Sequence, residues 1–242
     1  MTMMLIDLFQ NLAYGSLSNT NHANRTTGVI TPASEPAILK YVNEGLTELH
    51  ARYVLVEKKL RIQLYTTIAY YYLEPRFAVN YTPSAPGAPD DMPTRYIIDT
   101  ASVPFTGDVL KVLYAFDEHL HDYYVPINDE EFKHSIMIPR HNVLQIPCEH
   151  LGDYVDIVYQ AAHKKLALDP SAVIAIPEVL VPALEAFVAH KVFEDMATAD
   201  GLARSARQRQ IYDKICTDVE GRDMVYTSTS WTSSRFNKNG WV

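Results

Sequence analysis

The chain has 242 residues, of which 48% are hydrophobic and 21% are charged, a composition typical of a folded globular protein. Its formal net charge of −8 argues against a free nucleic-acid binder, whose affinity depends on lysine and arginine side chains that neutralise phosphates. Only two cysteines occur, far apart and outside any metal-type spacing, so neither a disulfide framework nor a zinc motif is indicated.

The start of the chain, MTMMLIDLFQNLAYG, does not have the pattern of a secretory signal. It lacks a basic beginning, and Asp7 interrupts its apolar stretch. No apolar run approaches the roughly 20 residues that a membrane-spanning helix needs. We therefore expect a protein that is made in a cytoplasm and has no membrane partner.

Two amphipathic helices are predicted before residue 58. Apolar residues recur at helical spacing in the first, which Gly15 would end. These residues are Met4, Leu5, Leu8, Phe9 and Leu12. Residues 16–31 are polar and predict a loop. Ser34 is a candidate N-cap for the second helix, with Pro36 in its first turn. The apolar stripe of this helix comprises Leu39, Val42, Leu46, Leu49 and Tyr53.

The periodicity changes to that of β-strands near residue 59. Leu60, Ile62 and Leu64 recur at every second position, as in a half-buried strand. Residues 83–93 contain four prolines and a glycine and predict a long surface loop. Other strand-like segments lie at residues 70–72, 96–98, 109–114, 135–138, 143–146 and 154–160. Many short strands between turn residues predict a small antiparallel sandwich or barrel.

Helical periodicity returns at residue 178 and predicts two further helices. The third helix tolerates Pro182 because it lies in the first turn. Its apolar face carries Leu180, Ala183, Leu184, Phe187, Val188, Val192 and Met196. The fourth helix follows a break at residues 199–201 and ends near Gly221. Its predicted inward residues are Leu202, Ala206, Ile215 and Val219. Its other side carries a candidate inter-subunit basic face, Arg204, Arg207 and Lys214.

Together these elements predict an α+β fold. Residues 1–57 and 167–224 would form a four-helix bundle from the N- and C-terminal helix pairs, because four helices with one apolar stripe each can cover one another. Residues 58–166 would form an inserted antiparallel β-rich module, like a sandwich or barrel. Residues 225–242 would form an extended C-terminal arm.

A search for catalytic patterns finds no nucleophile elbow, no P-loop and no dinucleotide-binding glycine motif. His119 and His121 have acidic neighbours, but a polar hairpin turn is the simpler interpretation, because a zinc site needs further ligands. Cys148 and His150 could face each other as nucleophile and base, yet turn residues flank them and no oxyanion site is evident. We interpret His190 as a residue on the face of the predicted third helix. We predict no catalytic residue, no metal ion and no cofactor.

Seven segments, taken in their order along the chain, carry a resemblance to a known family. They are LIDLFQNLAYGSLSN, EPAILKYVNEGLTELHARYVLVEKKL, YYYLEPRFAV, HNVLQIP, VDIVYQAAHKKL, IPEVLVPALEAFVAHKVFEDM and IYDKICTDVEGRDMV. With the Trp/Phe-containing tail, this series resembles the head-to-tail connector (adaptor) proteins of tailed bacteriophages, the group that includes the tail tubular A proteins of short-tailed phages. The resemblance implies a structural virion protein of the neck rather than an enzyme.

The resemblance also implies partners. Members form a homo-oligomeric ring, typically of twelve copies, between the portal protein and the tail nozzle or tube protein. DNA passes through the central channel without specific binding, and an acidic wall would not grip it. The loop at residues 83–93 departs from better-known members, so the particular tail component is not carried over. Two alternatives stay open: an assembly chaperone or scaffolding protein absent from the mature particle, and, less favoured, a hydrolase that uses Cys148 and His150.

The C-terminal arm combines large aromatic residues with basic ones. Burial of Trp231, Phe236 and Trp241 would contribute about 6–9 kcal/mol. Fixing some 18 backbone residues costs about 18–36 kcal/mol, so the aromatic residues alone cannot hold the arm on its own subunit. Arg235 and Lys238 lie in a stretch without any acid after Asp223. We therefore predict that these five arm residues bind the portal or a neighbouring subunit during assembly.

Overall fold

A computed structural model of the chain describes residues 3–24, 26–82, 94–117, 124–147 and 153–227. In chain order the elements of these residues are β1 (Met3–Met4), α1 (Leu5–Tyr14), β2 (Ala23–Asn24), β3 (Val29–Ile30), α2 (Glu35–Arg52), β4 (Glu57–Gln63), β5 (Tyr70–Tyr72), β6 (Ile97–Ile98), β7 (Val109–Asp117), β8 (Met137–Arg140), β9 (Val143–Gln145), β10 (Tyr154–Ala161), β11 (Val173–Ile174), α3 (Val181–Asp195) and α4 (Ala199–Gly221). Short 3-10 helices occur at Pro75–Phe77 and Glu178–Leu180. The predicted α+β class is confirmed.

The chain divides into two compact units. Met1–Leu55 and Lys164–Val242 form the first, here called the helical unit, which contains all the α-helices of the described residues. Val56–His163 forms the second, here called the β unit.

The limits of α1 follow from hydrogen bonds at its two ends. The backbone N–H of Met4 donates to the Asp7 carboxylate at 3.0 Å, so an N-terminal donor of the helix is satisfied. The N–H of Gly15 donates to the Asn11 carbonyl at 2.8 Å and ends the helix where the sequence predicts. Leu5, Leu8 and the other buried residues of α1 point into the core of the helical unit.

Helix α2 begins after Ser34, at the predicted N-cap position, but the capping interaction is absent. The Ser34 hydroxyl instead lies 3.0 Å from Nδ1 of His22 and joins the preceding loop to the start of the helix. Farther along α2, Gly45 allows close approach to α3. A Cβ atom at Gly45 would lie 2.7 Å from Cδ1 of Leu184 and 2.9 Å from Cδ1 of Phe187.

Helix α3 has more buried residues than any other helix in the described part of the chain, and it contacts α1, α2 and α4. Its buried residues are Ala183, Leu184, Ala186, Phe187, Val188, Ala189, Val192 and Phe193. They belong to one core cluster with residues of the other three helices. The core of the helical unit is therefore built around the predicted third helix.

The predicted inward face of α4 is wrong in part. Leu202 and Ala206 are exposed, Ile215 is half-buried, and of the predicted residues only Val219 is buried. The buried residues of α4 are Gly201, Ser205, Tyr212, Cys216 and Val219. This face contains small residues such as Gly201 and the polar Ser205, whose hydroxyl lies 2.8 Å from Nδ1 of His190, so apolar spacing does not mark it.

Part of the predicted loop at residues 16–31 is a small hairpin of β2 and β3. Gly28 in this hairpin has a φ of +66°, which a residue with a side chain rarely adopts. A Cβ atom there would also lie 2.3 Å from the ring of Tyr14, at the end of α1. Glycine therefore allows the hairpin to lie against the helix.

The described residues of the β unit form two antiparallel sheets. The larger has the order β6-β4-β10-β7, and Ile62 of β4 pairs with Val155 of β10. The smaller has the order β5-β9-β8. Residues of both sheets form a second core cluster.

The sequence predicts a sandwich or barrel for the β module. The prediction of a barrel is wrong for the described residues, whose sheets do not close. Each sheet ends in its own edge strands: β6 and β7 bound the larger sheet, and β5 and β8 bound the smaller. Strand β6 has only two residues, too few to continue a sheet around a barrel.

Candidate interaction surfaces

The predicted basic face lies on α4, and two of its residues point to solvent. Arg207 and Lys214 are seven residues apart, two turns of helix, and both are exposed. Arg204 differs, because its guanidinium pairs with Asp200 at 2.9 Å and lies over the Phe193 ring, 5.8 Å from its centre. Arg207 and Lys214 are therefore the cations of this face best placed to meet an acidic partner.

The predicted arm residues, Trp231, Arg235, Phe236, Lys238 and Trp241, lie outside the described residues, as do His119, His121, Cys148 and His150. The structure does locate the point from which the arm departs. The N–H of Val54 donates to the carbonyl of Tyr226 at 2.8 Å, and Thr227 forms an antiparallel bridge with Tyr53. The arm therefore begins beside the C-terminal end of α2.

His190 of α3 makes a contact between helices. Its Nδ1 lies 2.8 Å from the Ser205 hydroxyl of α4, and its Nε2 lies 4.0 Å from the Glu194 carboxylate. Serine, histidine and glutamate in this order resemble a catalytic triad. The Ser205 residue is only 4% exposed, however, so a substrate carbonyl has no approach to its hydroxyl in this conformation. The geometry supports a link between α3 and α4.

Two ion pairs join α2 to α4. Arg52 pairs with Glu220 at 2.6 Å, and Arg209 pairs with Glu48 at 2.9 Å. The hydrogen bond from Arg52 lowers the pKa of the Glu220 carboxyl, because it favours the charged form. These links hold in place the end of α2 from which the arm departs.

An exposed apolar surface surrounds the start of α1. Five apolar residues of this region are each about half exposed, from 43% for Ile6 to 51% for Val29. We call this set the apolar face: Met4, Ile6, Val29, Leu168 and Val173. Met4 and Val173 are cross-strand partners in the pair formed by β1 and β11, which places their side chains on the same side.

A groove of about 280 Å³ opens in this region, and we call it the α1 groove. The described residues that line it are Leu5, Ile6, Phe9, Gln10, Gly28, Val29, Ile30, Glu35, Leu168 and Pro170. Backbone hydrogen bonds fix its walls, because the N–H of Ile6 donates to the Pro170 carbonyl at 3.2 Å. Glu35 is the one charged residue among those lining residues. The groove is thus an apolar cleft with a carboxylate beside it.

Sequence reasoning missed the apolar face. It assigned α1 a single stripe that faces the core, and Ile6 lies off that stripe. The signal that was present is the pair of adjacent apolar residues Leu5 and Ile6, one of which must turn away from the core. Val29, Leu168 and Val173 come from segments without helical periodicity, so nothing in the sequence pattern placed them beside Ile6.

The β unit presents an aromatic surface at β5. Tyr70 and Tyr72 alternate with the buried Tyr71 and are 49% and 39% exposed. The Tyr72 ring stacks on Phe77 with a centroid distance of 6.1 Å. The Arg76 guanidinium lies 4.8 Å from the centre of the Phe77 ring. Aromatic residues with a neighbouring arginine are enriched in protein interfaces, so this surface is a second candidate for contact with a partner.

The described residues contain no group of three histidine, cysteine, aspartate or glutamate side chains able to hold a metal ion. None of their helices combines the length and apolar character needed to cross a bilayer.

No protein-family model matches the chain, and no curated protein matches it. The surfaces themselves are therefore the basis for inferring function.

Proposed function

We propose that this protein is a structural head-to-tail adaptor of a tailed bacteriophage, forming a ring between portal and tail through which DNA passes. The observation that carries the proposal is the apolar face with its groove. Monomeric proteins rarely expose contiguous apolar patches larger than a few hundred Å², and such patches mark sites of protein contact. In a ring, a neighbouring subunit or the portal would cover this surface.

The finer architecture belongs to the same proposal. The helices would form a four-helix bundle that packs between neighbouring copies in the ring. The β unit would face the tail, and the C-terminal arm would bind the portal or a neighbouring copy. Arg207 and Lys214 would face acidic groups of the adjacent copy. The tyrosine surface at β5 would meet the tail protein.

The DNA path follows from the charge of the whole chain. With a net charge of −8, a channel lined by this protein would repel phosphates rather than bind them, and DNA could slide through. We propose that the wall of the channel is acidic. A map of the assembled ring with a strongly positive inner wall would contradict this part of the proposal.

The proposal is tested by binding of the full chain to rings of the portal protein from the same genome. We expect the chain to sediment with portal rings, and Ile6→Asp to weaken that binding at least tenfold, because the change places a charge in the apolar face on which assembly of the ring would depend. Val103→Asp is the matched control, since Val103 is 68% exposed and belongs to the β unit rather than to the apolar face. Failure of the unaltered chain to bind portal rings would contradict the proposal.

Two further measurements separate the adaptor from the alternatives. Mass spectrometry of purified virions would detect an adaptor, whereas an assembly chaperone or scaffolding protein would be absent. A Cys148→Ala change would leave particle assembly and infectivity unaltered in an adaptor, but would abolish the function of a hydrolase that uses Cys148 as its nucleophile.

A further inference from the structure

We propose that residues 228–242 of one copy dock in the α1 groove of a neighbouring copy, with Phe236 in the groove and its basic neighbours toward Glu35. The proposal rests on the ring assembly proposed above and assigns the arm a specific binding site within it. It commits to a second copy of this chain as the source of the bound segment.

The chemistry of the two surfaces is complementary. The α1 groove is lined by apolar residues such as Phe9 and Ile30, with the carboxylate of Glu35 beside them. The arm places Phe236 between Arg235 and Lys238, and it contains no acidic residue. An aromatic side chain flanked by cations therefore matches an apolar cleft flanked by an anion.

The length of the arm favours a neighbouring copy over the same copy. The arm departs at Thr227, beside Tyr53 at the C-terminal end of α2, whereas Glu35 is the first residue of that helix. The 18 residues of α2 separate these ends by about 27 Å. Phe236 is nine residues beyond Thr227, a reach of at most about 30–32 Å. Docking within one copy would need an almost straight, nearly fully extended path, which favours a neighbouring copy as the source of the bound segment.

The test is disulfide cross-linking between two differently tagged full-length chains, both carrying Cys148→Ser. One chain carries Gln10→Cys in the groove, and the other carries Asn237→Cys beside Phe236. Mixed with portal rings and oxidised, the pair is expected to form a cross-linked heterodimer. Ala206→Cys in place of Gln10→Cys is the control, because Ala206 is exposed on α4, outside the groove.

Further changes test the chemistry of the site. Phe236→Ala and Glu35→Lys are each expected to reduce the cross-linked fraction at least fivefold. Thr229→Ala in the arm and Glu44→Lys on the same helix are the matched controls and should leave it unchanged. Cross-linking no greater than that of the Ala206→Cys control would overturn the proposal, as would a disulfide found only within single chains that carry both cysteines.

The outcome is distinguishable from failure of the adaptor proposal. If the chain binds portal rings but positions 10 and 237 do not cross-link, the arm site is wrong and the adaptor proposal stands. If the two positions cross-link in the chain alone and portal rings are not bound, the arm site stands and the adaptor proposal is wrong.

Discussion

The hydroxyl of Tyr53 donates a hydrogen bond to the backbone carbonyl of Cys216 at 3.1 Å, with both residues fully buried. This bond joins the end of α2 to α4 near the departure of the arm. Tyr53→Phe keeps the ring and removes the bond, so we expect the free energy of unfolding to fall by about 1 kcal/mol. Thermal unfolding followed by helical circular dichroism should show a midpoint lower by about 2–4 °C. The exposed Tyr70→Phe is the control, and an equal shift in both variants would contradict the prediction.

Close packing of α2 on α3 depends on Gly45. A valine at this position meets Leu184 and Phe187 at distances that force them to move, so Gly45→Val should destabilise the helical unit by about 1–3 kcal/mol. Gly221→Ala, at the end of α4, has no atom within 4 Å of the added Cβ and should raise stability by up to about 1 kcal/mol. Urea unfolding of the two variants measures this contrast. Equal effects of the same sign would refute the packing argument.

The thiol of Cys216 should be inert in the folded protein. It is fully buried, and burial raises its pKa, so the reactive thiolate is scarce and shielded. In a Cys148→Ser background, we expect a thiol reagent to modify Cys216 no faster than the protein unfolds. Lys214→Cys in the same background provides an exposed thiol that should react at once. Rapid modification of native Cys216 would show that this core opens readily.

The pair of Arg52 and Glu220 should make stability depend on pH. Because the pKa of Glu220 is lower in the folded state than in the unfolded chain, its contribution is present above the unfolded pKa and is lost as the pH falls through the folded pKa. Each side chain is about one-third exposed, so the contribution is modest, about 0.5 kcal/mol. Glu220→Gln should therefore be less stable than the unaltered chain at pH 7, and the difference should shrink below about pH 4. Asp218→Asn serves as the exposed control, and a difference that stays constant down to pH 3 would contradict the assignment.

The sequence was sufficient to predict elements whose burial follows a simple period. The stripe of α2 through Val42, Leu46 and Leu49 is fully or nearly fully buried, and the alternation of Leu60 and Ile62 marks the buried side of β4. Strand β4 begins at Glu57, earlier than predicted. Its first residues have exposed polar side chains, so no apolar residue marks this part of the strand in the sequence. Apolar periodicity indicates which side chains are buried, and it gives no information about segments whose side chains are all exposed.

The rest depended on contacts between distant segments. The inward face of α4 contains Ser205 and Tyr212, whose environment is set by α3 and cannot be read from α4 itself. The apolar face combines Ile6 with Val29 and Leu168. A backbone hydrogen bond from Ile6 to Pro170 brings in the segment of Leu168, and packing of the hairpin against α1 brings in Val29, so no motif marks the face. Ser34 was placed correctly at the start of α2, but its hydroxyl bonds His22 instead, a partner twelve residues away.

Electron microscopy of the neck of purified virions tests the central claim most directly. The account predicts a closed ring of this protein between portal and tail, with the apolar face of each copy covered by a neighbouring copy or by the portal. A neck that contains no copy of this chain, or a chain whose apolar face stays open to solvent in the assembled particle, would contradict it.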